Sequence, residues 1–290
     1  RIMSPYSLPS IRETLQSLPS LWFERELSRS ALASLGRVLG GFFLAAVVAL
    51  PLGVLSGAYP MVNAFLRPLS ILGRNLPIAA LISLAVVWFG IGETQKVMFI
   101  FMATAAFILF DSTHAVEGVS DRYLDTAYTL GAKKDPRGGI IKATVIGVIY
   151  ALVIAFALSL LSANGQALGE RLVSGKFWIW AGVGWVIGFL LWFPILGHQV
   201  ISKVMLPLAM PNITNSLRLL FGLAFGYIML AEMINAQAGL GHIINMSQRR
   251  GPREHIYLCL IIIALLAFVI DRLALWLQHR LFPYVHHVEN

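Results

Sequence analysis

The stretch SDRYLDTAYTLGAKK, Ser120 to Lys134, is the polar break on which the reading of this chain turns. Three long apolar runs precede it and four follow, and its own residues have helical character. Gly131 stands where a helix can end in a tight turn, and Lys133 and Lys134 stand where a helix terminus is negative. Outward from this break, 58% of the 290 residues are hydrophobic and only 12% are charged, about half the ~25% of soluble domains. Such a chain is an integral membrane protein.

The runs lie near residues 31–57, 76–92, 96–112, 140–162, 177–197, 213–234 and 256–278. About 20 apolar residues cross a ~30 Å hydrocarbon core as a helix, and no run shows the period-two alternation of a membrane barrel. The expected fold is therefore an all-α, polytopic bundle of about seven transmembrane helices. Residues 1–30 place Leu15, Leu18, Leu21, Trp22 and Leu27 at helical spacing among polar residues, with Pro9 and Pro19 as punctuation. That pattern suits an interfacial amphipathic segment. The sequence given starts at Arg1 and shows no n-region, apolar h-region and cleavage site in order, so no signal peptide is expected within it, and a processed or truncated start is compatible with that.

The net charge of +8 does not mark a nucleic-acid binder, because the basic residues cap the ends of apolar runs and face lipid headgroups instead. Nor does it orient the chain. With Ser120 to Lys134 in the cytoplasm, Arg67, Arg74, Arg122, Lys133, Lys134, Arg137, Lys203 and Arg280 fall inside. Arg171, Lys176, Arg249, Arg250 and Arg253 then fall outside with the N-terminal arginines, a near balance. The single cysteine, Cys259, lies in an apolar run and forms no internal disulfide.

Asp125, Thr126 and Ala127, followed after three residues by Gly131 and Ala132, resemble the cytoplasmic coupling motif of bacterial ABC-importer permeases: Glu-Ala-Ala, three residues, then Gly. The chain is similar to the nitrate/sulfonate/taurine class of these permeases in further stretches, taken in chain order. They are ALASLGRVLGGFFLAAVVALPLGVLSG at 31–57, Arg67 to Leu69 with VVWFGIGETQK at 86–96, VMLPLAMPNITNSLRL at 204–219, AEMINAQAGLGHII at 231–244 and IDRLALWLQHRLF at 270–282. Val204, Leu206 and Pro207 match the Ile-x-Leu-Pro positions of the motif's second half.

The resemblance implies a type I ABC-importer-like bundle in the bacterial inner membrane. It also implies a second permease copy, an extracytoplasmic binding protein, and separate ATPase subunits that hold ATP and magnesium. Small anions such as nitrate, sulfonates or taurine are the class's usual cargo.

Three departures accompany it. Asp125 stands for Glu and Thr126 for Ala. Members of the class usually carry one more span ahead of the segment corresponding to residues 1–30. The family's interval of about ten residues between Gly and Ile-x-Leu-Pro is here some seventy, with two apolar runs inside. We therefore read a permease domain at 31–290 interrupted at 135–203 by an inserted transmembrane hairpin. Two extra spans return the chain to the face it left, so the half-motifs can meet. Trp178, Trp185 and Trp192 share one face of the second inserted helix, a docking surface or a lipid-facing one.

No Walker loop, G-x-x-x-x-G-K-[ST], is present, so the chain is not itself expected to be an enzyme. His114, His198, His242 and His255 near span ends, and His286 with His287 in the tail, lack metal-ligand spacing and read as interfacial or solvated. Ionisable residues within spans are functional candidates by default: Arg37, Asp111, Arg218, Glu232, Asp271 and Arg272. Arg218, Glu232 and Asn235 are the substrate-path candidates, against a structural contact between helices. The polar segment Asn235 to Glu254, with Arg249, Arg250 and Arg253, suits either a binding-protein contact or a solvated loop. A membrane enzyme or scaffold worked by the hairpin is the competing function. Lys142, Tyr150, Ser159 and hydroxyls are all the polar chemistry its helices offer.

Overall fold

A computed structural model describes residues 9–23, 25–161, 175–250 and 252–283. Ser10 opens the first helix with a capping box, its Oγ accepting from the Glu13 amide at 3.2 Å while Glu13 Oε2 accepts from the Ser10 amide at 2.7 Å. Helix α1 (Ile11–Gln16) and helix α2 (Leu18–Phe23) follow. Leu21 is buried while Leu15, Leu18 and Trp22 are exposed, the amphipathic division expected of this segment.

Helix α3 (Leu27–Ala58) has 32 residues, and at ~1.5 Å each it exceeds a membrane's apolar thickness. Next come α4 (Pro60–Asn75), α5 (Ile78–Phe89), α6 (Glu93–Glu117), the short α7 (Asp121–Thr129), α8 (Pro136–Leu161) and α9 (Gly175–Leu196). A π-helical segment, Ile201–Met205, leads into α10 (Leu206–Asn235), and α11 (Leu240–Arg250) and α12 (Glu254–Leu281) complete the chain. Among the described residues the only extended pairing is a bridge between Lys134 and His198.

Among the described residues six helices are long and apolar enough to cross alone. The expected straight span at 76–92 is different. Helix α5 has 12 residues, about 18 Å, too short to cross, and it meets α4 at a bend of 103°. Counted as one broken span, this pair brings the total to seven. Arg67 and Arg74, read as loop residues, are within α4, which has Pro60 at its first position and Pro68 inside.

The chain divides into two compact units. Residues 1–42, 77–103 and 218–290 form the first, whose core joins Leu21, Leu81, Phe99, Ile100, Phe225 and Ile228. Residues 43–76 and 104–217 form the second, around Val54, Val116, Ile195, Ile201 and Ile213. In the second unit α8 and α9 pack as an antiparallel pair at their glycines. A Cβ on Gly188 would lie 2.6 Å from that of Tyr150, and one on Gly184 would lie 2.9 Å from the Tyr150 carbonyl. Asp135 caps α8 by accepting from the Gly138 amide at 3.0 Å, with Pro136 at the first helical position.

The tryptophan face of α9 turns inward in part. Trp192 reaches Tyr150 and Trp185 contacts Gly147 while staying exposed, as Trp178 does. Ile179, Val183, Val186 and Leu190 are exposed as well.

Candidate functional site

Helix α7 carries Asp125, Thr126 and Ala127, of which only Ala127 is buried. Thr126 donates to the Arg122 carbonyl at 2.7 Å, so its hydroxyl is used within the helix. The helix ends in a Schellman turn. The Ala132 amide donates to the Ala127 carbonyl and the Gly131 amide to the Tyr128 carbonyl, both at 3.0 Å. Gly131 has φ +82°, a left-handed conformation that costs other L-residues about 1–2 kcal/mol.

Beyond the turn the chain pairs with residues that follow α9. The Asp135 amide donates to the Gly197 carbonyl at 2.8 Å, the Gln199 amide to the Lys133 carbonyl at 3.3 Å, and Lys134 bridges His198. Val204 lies in the π segment, against which α7 packs, and Leu206 and Pro207 open α10. Pro207 has no N–H for the carbonyl four residues back, and just before it the Leu206 amide donates five residues back, to Ile201. The two sequence segments matched to the halves of the motif therefore sit side by side.

Burial, and then the charge of Lys134, push His198 below the usual histidine value of 6.5. The unfolded chain then takes up this proton first, so its contribution is intact above about pH 6.5 and is lost as pH falls below it. We expect Tm to fall between pH 7 and 5, and His198→Gln to flatten that slope in thermal unfolding.

In the first unit Arg37, Glu93, Lys96 and Glu232 form one charge cluster. Arg37 donates through Nη1 to Glu232 at 2.6 Å and to the Ala238 carbonyl at 2.8 Å, and through Nε and Nη2 to Glu93 at 2.5 and 2.8 Å. Lys96 donates to Glu93 at 2.8 Å. The Glu232 carboxylate is fully buried, with Ser34 Oγ 2.7 and 2.8 Å from its two oxygens and the Gly241 amide donating to Oε2 at 2.9 Å. Ser34 Oγ accepts in turn from the Leu240 amide at 2.9 Å. A carboxylate here meets the N-terminus of α11, where helix dipoles favour negative charge. Gly239, at φ +130°, passes so close that a Cβ would fall on the carboxylate.

Arg218 pairs with Asp271 at 3.2 Å, a contact between helices. Asn235 ends α10, and its side chain lies outside the described set. His255, expected at an interface, is buried with Nε2 2.9 Å from Ser20 Oγ. His286 and His287 lie outside the described residues, as does Arg171 with most of the turn between α8 and α9. Among the described residues no group of three or more His, Cys, Asp or Glu could hold a metal.

Residues 49–182 and 197–283 match the family described as the binding-protein-dependent transport system inner membrane component. The chain belongs to this family. As a transport permease it is 26% identical over 286 residues to an ABC transporter permease protein of Methanocaldococcus jannaschii, covering 97% of this chain and 84% of that one. It is 25% identical to the taurine transport system permease protein of Escherichia coli, covering 98% and 82%. An aliphatic sulfonates transport permease protein of Bacillus subtilis is 22% identical, covering 100% and 82%. In fold the permease resembles the MetNI methionine ABC transporter, with TM-score 0.61 at 17% identity over 90% of this chain and 97% of that one.

Sequence reasoning missed several residues of this permease. Tyr123, Tyr128 and Leu130 are exposed around α7, an apolar rim on an otherwise polar helix. Arg74, in the last turn of α4, sets its guanidinium 3.9 Å over the Phe110 ring and 5.5 Å from that of Phe107. Arg37 and Glu232 are 195 positions apart, and local patterns do not pair them.

Glu232→Ala would leave the Ser34 hydroxyl and the Gly241 amide buried without this acceptor and would strip Arg37 of its buried carboxylate partner. A cost of about 3–5 kcal/mol is expected, read as a large loss of Tm in detergent or nanodiscs. A shift no larger than that of an exposed control such as Glu26→Ala would contradict the clamp.

Proposed function

We propose that this permease forms the translocation path of an ABC importer and docks a separate ATPase through α7 and the π segment. The ATPase carries ATP and magnesium, a second permease copy completes the path, and an extracytoplasmic protein delivers the cargo. The observation that carries the reading is the backbone pairing of residues 133–135 with 197–199, which places α7 beside the π segment despite some seventy intervening residues. It also supports residues 135–203 as an inserted hairpin, since the two ends of the hairpin lie within hydrogen-bond reach.

Helix α7 is suited to the task. It is short, stopped by a stereospecific turn, and exposes Tyr123, Tyr128 and Leu130 beside Asp125. A rigid element of that kind passes a movement of the ATPase to the spans on either side. Ala132, Lys133, Val204, Leu206 and Pro207 complete the coupling surface.

Relatives named for taurine, aliphatic sulfonates and bicarbonate support a small oxyanion as cargo. Arg74 joins Arg218, Glu232 and Asn235 as a path candidate, because a guanidinium held among apolar rings suits an oxyanion. With Arg74→Gln, uptake of the oxyanions tried should fall while ATPase recovery stays unchanged. Undiminished uptake removes Arg74 from the path.

For the docking itself, Asp125→Lys or Gly131→Val should abolish co-purification of the ATPase or its cargo-dependent ATP hydrolysis. The mutant chains should still reach the membrane. Full recovery with normal coupling in both variants would refute the docking role.

A further inference from the structure

We infer that Tyr150 of the α8–α9 hairpin supplies the hydrogen bond that Pro51 removes from α3, which makes the hairpin a brace on that span and Tyr150 a positioning residue. The inference goes beyond the transport reading and stands independently of the cargo and of the ATPase.

Pro51 lies inside α3 and has no N–H, so the carbonyl four residues earlier, that of Val47, loses its helical donor. In hydrocarbon no water replaces it, and an unsatisfied backbone group there costs several kcal/mol. Tyr150 Oη donates to the Val47 carbonyl at 2.5 Å. The hydroxyl is in turn held by Trp192, whose Nε1 donates to Oη at 2.9 Å. A hydroxyl has one proton to give. With Trp192 donating to the oxygen, that proton is directed at Val47.

The site is built rather than incidental. Tyr150 is only 6% exposed, and it fits between the helices because Gly188 offers no Cβ at that point. The hairpin holds the same part of the chain a second time just past the end of α3. There Tyr59 Oη donates to the Pro194 carbonyl at 3.1 Å. The two ties are 12 residues apart, about 18 Å along a helix. A proline-containing span is most easily deformed at the proline, and there the hairpin grips it.

The test is a double-mutant cycle in the full chain in nanodiscs, with amide hydrogen exchange read at residues 50–55. Tyr150→Phe orphans the Val47 carbonyl and should accelerate exchange about tenfold, the equivalent of roughly 1.4 kcal/mol. In a Pro51→Ala background the new amide at position 51 serves that carbonyl, and the same substitution should leave exchange at these residues unchanged. Acceleration of equal size in both backgrounds, or none in either, overturns the inference. Should Tyr150→Phe fail to fold, recovery of a folded chain by adding Pro51→Ala supports the brace, and failure of the double variant contradicts it.

Discussion

A backbone carbonyl in hydrocarbon must find its donor within the protein, and this constraint decides where the chain can depart from regular helix. Pro51 breaks the ladder inside α3, and the structure answers with a tyrosine from another helix. The turn at Gly131, by contrast, satisfies its own carbonyls through the two Schellman bonds and needs no side chain. At the ends of the hairpin, residues 133–135 pair with 197–199 through their backbones. Short non-helical segments that flank the hairpin find partners in each other.

Charge obeys a stricter version of the rule. Glu232 is fully buried and would be costly alone, yet Arg37, Ser34 and the Gly241 amide all address it. Arg37 then shares its remaining donors with Glu93, which Lys96 also reaches. The cluster fixes where α11 begins, so the polar segment after α10 is held at its start by a carboxylate. Such an arrangement is a clamp whether or not cargo passes nearby.

Much of this architecture was legible in the sequence. Run lengths marked six of the spans, and the Gly131 turn was legible from glycine's tolerance of positive φ. Helix α4 was not, because Arg67, Pro68 and Arg74 lower its hydropathy below that of a span, and the run at 76–92 then stands as a span by itself. The α7 motif was visible, but its exposed rim of Tyr123, Tyr128 and Leu130 was not, since exposure of an aromatic residue leaves no local mark. Tyr150 was noted only as one of the hairpin's few polar side chains. Its partner is a carbonyl, which sequence reveals only through the proline four residues later.

The central claim is that one docking surface is assembled from two segments that a hairpin separates in sequence. Removing residues 135–197 so that Lys134 runs directly into His198, in a chain carrying Pro51→Ala to satisfy α3, isolates that claim. The measurement is the amount of ATPase recovered with the shortened permease. Recovery equal to that of the full chain is the predicted result. A shortened chain that inserts and folds yet recovers no ATPase would contradict the account.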